Sequence, residues 1–143
     1  MKYDLQIIDI ITTDTLKSFL FEVENKKSLS IYLHSAGGDG QVAFAIRDFI
    51  LSNNINVTIH TSCCESAATI ILSACKTKIA SKNCIFMFHK GSFDNPSEYK
   101  YPRKLELIND IYQKIYPSIE MTDEKKYFTS KEMLKMKYIN KII

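Results

Sequence analysis

The chain alternates between short apolar runs typical of β-strands and longer segments whose apolar residues recur at helical spacing. This alternation favours a parallel sheet covered by helices, because each helix returns the chain to the edge where the next parallel strand starts. The predicted strands are 3–10, 29–34, 55–61, 77–81, 84–89 and 138–143. The predicted helices are 14–25, 41–52, 66–75, 102–116 and 130–137, with a turn at 62–65 and an exposed loop at 90–101. Helix 66–75 is apolar nearly all round and should be buried. Ala45 is expected on the inner face of its helix, and Tyr112 on the apolar stripe of its helix. A length of 143 residues predicts a single α/β domain over 1–143.

Composition excludes several classes of protein. Hydrophobic residues make up 45% of the chain and charged residues 24%, which is enough apolar surface to form a core rather than stay disordered. Residues 1–15 contain acids and lack a small-residue cleavage site, and no apolar run is long enough to cross a bilayer. We therefore expect a cytoplasmic protein with no membrane partner. The net charge of +3 comes without a dense basic and aromatic cluster, so no nucleic-acid partner is expected either.

The four cysteines do not predict a metal centre. Cys63 and Cys64 are adjacent, Cys75 and Cys84 stand apart, and no pair of histidines lies near them, so the spacing differs from that of zinc ligands. In a reducing compartment such cysteines are expected to be small buried apolar residues. The sequence thus predicts neither a metal nor another cofactor.

A glycine pair is the first candidate for chemistry. Gly37 and Gly38 follow a predicted strand and precede a predicted helix. Glycines there permit positive φ and leave backbone N–H groups open to an oxyanion or a phosphate. No Lys-Ser/Thr follows, so the segment is not a nucleotide-binding P-loop. Taken alone, the pair also fits an ordinary tight turn.

A serine and a histidine are the second candidate. Ser66 stands at the start of an apolar helix, where a serine either caps the helix or acts as a nucleophile. In the second case the backbone N–H of Ala67 can hold developing negative charge at the helix N-terminus. His89 ends a predicted strand and is the best placed base. His34 and His60 are the weaker candidates for that role.

Four segments together carry a recognisable pattern. They are 32–38 (YLHSAGG), 64–72 (CESAATIIL), 86–89 (FMFH) and 127–142, which contains YFTSKEML and ends in YINKI. In this order they resemble the Clp protease proteolytic subunit, and the second is similar to its form in phage and prophage Clp-like peptidases. The resemblance spans roughly 30–143. It implies a Clp/crotonase-like spiral of β-β-α units, with mainly parallel sheets and flanking helices.

The resemblance also implies roles for individual residues. Ser66 would be the nucleophile and His89 the general base and then the general acid. The N–H groups of Gly38 and Ala67 would form the oxyanion hole. The reaction would be hydrolysis of peptides or unfolded protein through an acyl-enzyme, in a homo-oligomer.

The sequence departs from the family at the third member of the catalytic triad. Matching the C-terminal helix cap places Lys126 at the acidic position in one alignment and Lys125 in the other. The neighbouring carboxylates Asp123 and Glu124 are candidates for the third member if the backbone shifts. Glu65 also replaces a small residue that the family has beside the nucleophile.

Three functions therefore stay open. A Clp-like serine peptidase fits the serine and histidine. A catalytically impaired Clp-like subunit with a structural or regulatory role fits the lysine at the acidic position. A crotonase-like acyl-CoA enzyme would share the fold. By the same resemblance, the segment after His89 is shorter than in the family and the family's axial N-terminal segment has no counterpart, which argues against ring stacking and a Clp-type ATPase partner.

Overall fold

Helices connect the strands of a single sheet, in agreement with the predicted alternation. The computed structural model describes residues 2–92 and 102–143. The strands within these residues are β1 (Leu5–Ile8), β2 (Ser28–Ser35), β3 (Asn56–Glu65), β4 (Thr77–Ala80), β5 (Ile85–Phe88), β6 (Lys126–Thr129) and β7 (Lys141–Ile142). The helices are α1 (Thr13–Val23), α2 (Gly40–Ser52), α3 (Ala67–Ala74), α4 (Pro102–Ile115) and α5 (Ser130–Lys135).

The strand order is β1-β2-β3-β4-β7, and every pair along this path is parallel. Strand β5 pairs in parallel with the end of β3, and β6 pairs antiparallel with β5. The mainly parallel sheet with flanking helices confirms the predicted fold class. The helices of the described chain are too short or too polar to span a bilayer.

Strand β3 is forked, because its two halves pair with different strands. Residues Thr58–Thr61 pair with β4, whereas Cys64 and Glu65 pair with Phe86 and Met87 of β5. On its other side β3 follows β2 throughout, with a register shift between Leu33 and His34. The sheet therefore splits into two branches near the end of β3. Ser66 is the first residue after that strand.

Helix α3 forms the centre of the core. Its side chains are almost all buried, including Ala68, Ile71 and Leu72 with no exposed surface. This confirms the prediction from a segment that is apolar on every side. Truncating Ile71 or Leu72 to alanine would cost about 2–5 kcal/mol at sites of this kind.

Several predicted boundaries were wrong. The predicted turn at 62–65 is the last part of β3, because β5 supplies partners for its end. Strand β6 was not predicted, since only its pairing with β5 defines it. The terminal strand is confined to Lys141–Ile142. Of the loop predicted at 90–101, residues 93–101 lie outside the described residues.

Candidate active site

Ser66 occupies a sharp turn between β3 and α3. Its backbone has φ 53° and ψ −122°, a region that non-glycine residues rarely adopt. Such a conformation costs on the order of 1–3 kcal/mol and persists only where its surroundings impose it. Here the Ser66 N–H donates a 2.8 Å hydrogen bond to the Met87 carbonyl of β5. The hydroxyl makes no cap hydrogen bond to the helix, so it is available for other partners.

The partner of that hydroxyl is His89. Strand β5 ends at Phe88, so His89 follows directly from the strand that pairs with the end of β3. Ser66 Oγ and His89 Nε2 are 3.0 Å apart, within hydrogen-bond distance. The structure thus brings together the serine and the histidine that the sequence singled out, through pairing of the strands that precede them.

The glycine pair lies against the serine turn. Gly37 has φ +111°, and a Cβ on it would lie 3.0 Å from Ser66 Cβ and 3.3 Å from Ala67 N. Gly38 has φ +145°, and a Cβ there would lie only 2.4 Å from the Ile11 carbonyl oxygen. Side chains are therefore excluded at both positions, and the two turns approach each other through backbone atoms.

Hydrogen bonds hold the glycine turn on both sides. The buried Ser35 hydroxyl donates to the Asp9 carbonyl and accepts a 3.1 Å hydrogen bond from the Gly37 N–H. Ile11 donates its N–H to the Gly37 carbonyl and accepts from the Asp39 N–H, both at 2.9 Å. The turn is consequently rigid around Gly38.

Two backbone donors are left free at this place. Within the described residues, neither the N–H of Gly38 nor that of Ala67 donates a hydrogen bond. Both residues line a cavity of about 490 Å³ together with Ser66 and His89. A size of this order is typical of sites for small ligands. The arrangement is a hydroxyl with a neighbouring imidazole, opening onto a cavity that also contains two unpaired amide donors.

The other two histidines lie outside this cavity. His34 Nδ1 is 2.7 Å from Ser62 Oγ, on the face of the sheet that carries Tyr32. His60 lies between Tyr3 Oη at 2.7 Å and Ser81 Oγ at 2.9 Å. Neither imidazole lines the cavity. His34 and Ser62 nevertheless form a second serine–histidine pair, which is useful as an internal control.

A lysine is the charged side chain that acts on His89. Burial lowers the pKa of the His89 imidazole below its usual value, and the positive charge of Lys125 lowers it further. The candidate acids Asp123 and Glu124 are exposed, and in the described structure no hydrogen bond joins either to the imidazole. The structure therefore does not bring these two predicted residues to the histidine. Over the same residues, no group of three acidic, cysteine or histidine side chains is arranged to hold a metal ion.

Sequence reasoning missed two hydroxyls at the carbonyl of the serine. Thr69 Oγ1 donates a 2.6 Å hydrogen bond to the Ser66 carbonyl and lies 2.6 Å from Tyr112 Oη of α4. Tyr112 was predicted only as one member of the apolar stripe of its helix. The available signal was Thr69 itself, a polar residue in a helix predicted to be wholly buried, which requires a hydrogen-bond partner.

Two comparisons with known proteins agree with this fold. The sequence model of the Clp protease family matches residues 6–136. Among solved structures, a ClpP1 mutant from Listeria monocytogenes is similar with a TM-score of 0.74 and 21% identity, covering 97% of this chain and 90% of that one. None of the curated proteins compared is similar enough to count as a match. Because the family model matches most of its residues, the chain belongs to the Clp protease family.

Proposed function

We propose that the chain is a serine peptidase that hydrolyses peptides, or unfolded segments of proteins, through an acyl-enzyme. Ser66 Oγ attacks the scissile carbonyl while His89 Nε2 takes its proton. The N–H groups of Gly38 and Ala67 hold the oxyanion of the tetrahedral intermediate. His89 then donates the proton to the leaving amine, and a water molecule repeats the sequence to release the acid.

The observation that carries this proposal is the 3.0 Å contact between Ser66 Oγ and His89 Nε2 beside two free backbone donors. A serine and a histidine also meet at Ser62 and His34, outside the cavity, so the contact by itself does not single out Ser66. What supports a reaction at Ser66 is the combination with the donors and the cavity.

The experiment is labelling of the folded protein with a fluorophosphonate probe, followed by peptide mapping. We expect the adduct on Ser66 and none on Ser62, because only Ser66 has donors for the oxyanion of the reaction. Heat-denatured protein should not react. Labelling of Ser62 and Ser66 to the same extent, or no labelling of the folded protein, would contradict the proposal.

A second candidate is a catalytically impaired subunit. The observation that favours it is Lys125, whose charge opposes formation of an imidazolium at His89. A triad enzyme deprived of its acid is slowed on the order of 10⁴-fold, because the imidazolium loses its stabilising partner. The labelling experiment separates the two candidates, since a slow Ser/His dyad still forms the adduct over hours whereas an inactive subunit does not.

The charge of Lys125 predicts a pH dependence. His89 works as a base only when neutral, and its pKa lies below the usual 6.5, so activity should persist to a pH below 6.5. Lys125→Glu removes the positive charge and raises the His89 pKa. We expect the acidic limb of kcat/KM to move to higher pH by about one unit or less.

The control for this prediction is Lys135→Glu, which makes the same charge change in the last turn of α5. It should leave the acidic limb in place. The prediction fails if the limb does not move in Lys125→Glu, or if it moves to lower pH.

We further propose a homo-oligomer in the cytoplasm. Large apolar side chains stand exposed on the described surface, with Phe21 76%, Ile10 70% and Tyr127 58% exposed, and neighbouring copies would cover them. The four cysteines are free, as is usual in a reducing compartment.

A further inference from the structure

One planar peptide group connects the hydroxyls of Thr69 and Tyr112 with a free donor at the cavity. The carbonyl of Ser66 and the N–H of Ala67 belong to the same peptide unit. The N–H is one of the two free donors at the cavity, whereas the carbonyl is surrounded by donors. Whatever fixes the carbonyl therefore also fixes the direction of the N–H.

The carbonyl of Ser66 has three donors within reach. The Thr69 N–H donates to it at 2.9 Å and the Thr69 hydroxyl at 2.6 Å. Tyr112 Oη lies 3.3 Å from the same oxygen and 2.6 Å from Thr69 Oγ1. Thr69 has no exposed surface and Tyr112 has 4%. Three donors near one carbonyl oxygen are more than the first turn of a helix needs to satisfy that oxygen.

The protons can be assigned along this chain of hydroxyls. Burial raises the pKa of the Tyr112 phenol well above its usual value, so the phenol keeps its proton. Thr69 has a single hydroxyl proton, and the carbonyl can only accept. The consistent arrangement is that Tyr112 donates to Thr69 Oγ1 and Thr69 donates to the Ser66 carbonyl. Hydrogen bonds in such a chain polarise one another.

We propose that Thr69 and Tyr112 are positioning residues, which hold the Ser66–Ala67 peptide plane and strengthen its N–H as a donor to the oxyanion. The inference rests on the proposed function, because it assigns a purpose to that donor. Two features support it. The strained backbone of Ser66 needs an external restraint, and donors on a carbonyl increase the polarity of the N–H in the same amide.

The alternative is that Thr69 and Tyr112 merely satisfy each other inside the core. A threonine hydroxyl that bonds back to a carbonyl three residues earlier is common in helices. The two interpretations differ in where an effect appears. A purely structural role lowers stability and leaves the Ala67 N–H unchanged, whereas a positioning role changes that N–H and the transition state.

Three variants separate these interpretations. Thr69→Val keeps the shape and removes the hydroxyl, Thr69→Ser restores the hydroxyl, and Tyr112→Phe removes the second member of the chain. The matched control is Tyr116→Phe, because Tyr116 is a buried tyrosine directly after the end of α4 whose hydroxyl donates to the Thr69 carbonyl instead. All four variants are first checked for folding by thermal denaturation.

The first readout does not depend on activity. In protein labelled with ¹⁵N-alanine, we expect the Ala67 amide proton to move upfield in Thr69→Val, and less so in Tyr112→Phe. It should stay in place in Thr69→Ser and Tyr116→Phe. An unchanged Ala67 resonance in Thr69→Val overturns the inference, even if the protein proves to be a peptidase.

The second readout is kinetic and uses a fluorogenic peptide that the wild-type protein cleaves. In Thr69→Val we expect kcat to fall about tenfold with KM unchanged, which is less than the 10²–10³-fold loss typical when a donor is removed outright. Binding of a peptide boronate, which forms a tetrahedral adduct, should weaken in parallel. Equal changes in Tyr116→Phe would overturn the inference.

If the wild-type protein neither labels nor cleaves, the proposed function fails, and the Ala67 resonance alone decides the positioning.

Discussion

Ser66→Ala is expected to abolish fluorophosphonate labelling and to reduce peptide hydrolysis by at least about 10²-fold. The expected loss is modest because a serine peptidase without its acid already works about 10⁴-fold more slowly than an enzyme with a full triad. Removal of all catalytic side chains lowers kcat by about 10⁶-fold in total. The substitution deletes one oxygen in a turn whose backbone is held by the Met87 carbonyl, so the fold should not change. Measurement of kcat/KM with a fluorogenic peptide, together with the labelling, tests this.

Ser62→Ala is the matched control for this prediction. It also removes a serine hydroxyl that lies within hydrogen-bond distance of a histidine, here the 2.7 Å contact with His34. Ser62 does not line the cavity. Both labelling and hydrolysis should therefore remain at the wild-type level. If Ser62→Ala lost as much labelling and hydrolysis as Ser66→Ala, the activity could not be assigned to the site at Ser66.

Gly38→Ala is expected to damage both stability and activity. The new Cβ would lie 2.4 Å from the Ile11 carbonyl oxygen and 2.7 Å from the Ile11 N, at a φ of +145°. Backbone strain of this kind costs about 1–3 kcal/mol, and the collision with main-chain atoms adds to it. For a chain of this length a loss of about 3 kcal/mol corresponds to a fall in Tm of roughly 10 °C. Displacement of the Gly38 N–H should also lower kcat by about 10²–10³.

The control is Gly40→Ala, two residues along the same segment. A Cβ at Gly40 has no atom within 4 Å, and Gly40 already begins α2. Alanine is favoured over glycine in helices, so Tm should stay the same or rise slightly. Calorimetry and the peptide assay on both variants provide the comparison. A Gly38→Ala protein with wild-type Tm and kcat would remove the basis for the proposed donor.

The parts of the molecule that were predictable from sequence are those set by local pattern. The alternating apolar runs predicted the parallel sheet, and the apolar segment around Ile71 predicted a buried helix. The resemblance of four short motifs to the Clp protease family is confirmed by the family match. The roles of Ser66 and His89 stay predictions, although their side chains do meet in the structure.

The parts that were not predictable depend on contacts between distant segments. Glu65 belongs to a strand only because β5 pairs with it, and Phe128 belongs to β6 for the same reason. The partner of Thr69 lies 43 residues away on α4. Short-range spacing also misjudged exposure at Ala45, predicted to face the core and found exposed. In each case the outcome depends on which segments become neighbours after folding.

The forked end of strand β3 supports the contact between Ser66 and His89 through main-chain atoms. Main-chain pairing of β3 with β5, together with the hydrogen bond from the Ser66 N–H to the Met87 carbonyl, involves no side chain of residues 123–126. An acid or a lysine can therefore occupy that segment without dismantling the reactive pair. The charge at residue 125 can therefore shift the basicity of the His89 imidazole while the contact between Ser66 and His89 keeps its main-chain support.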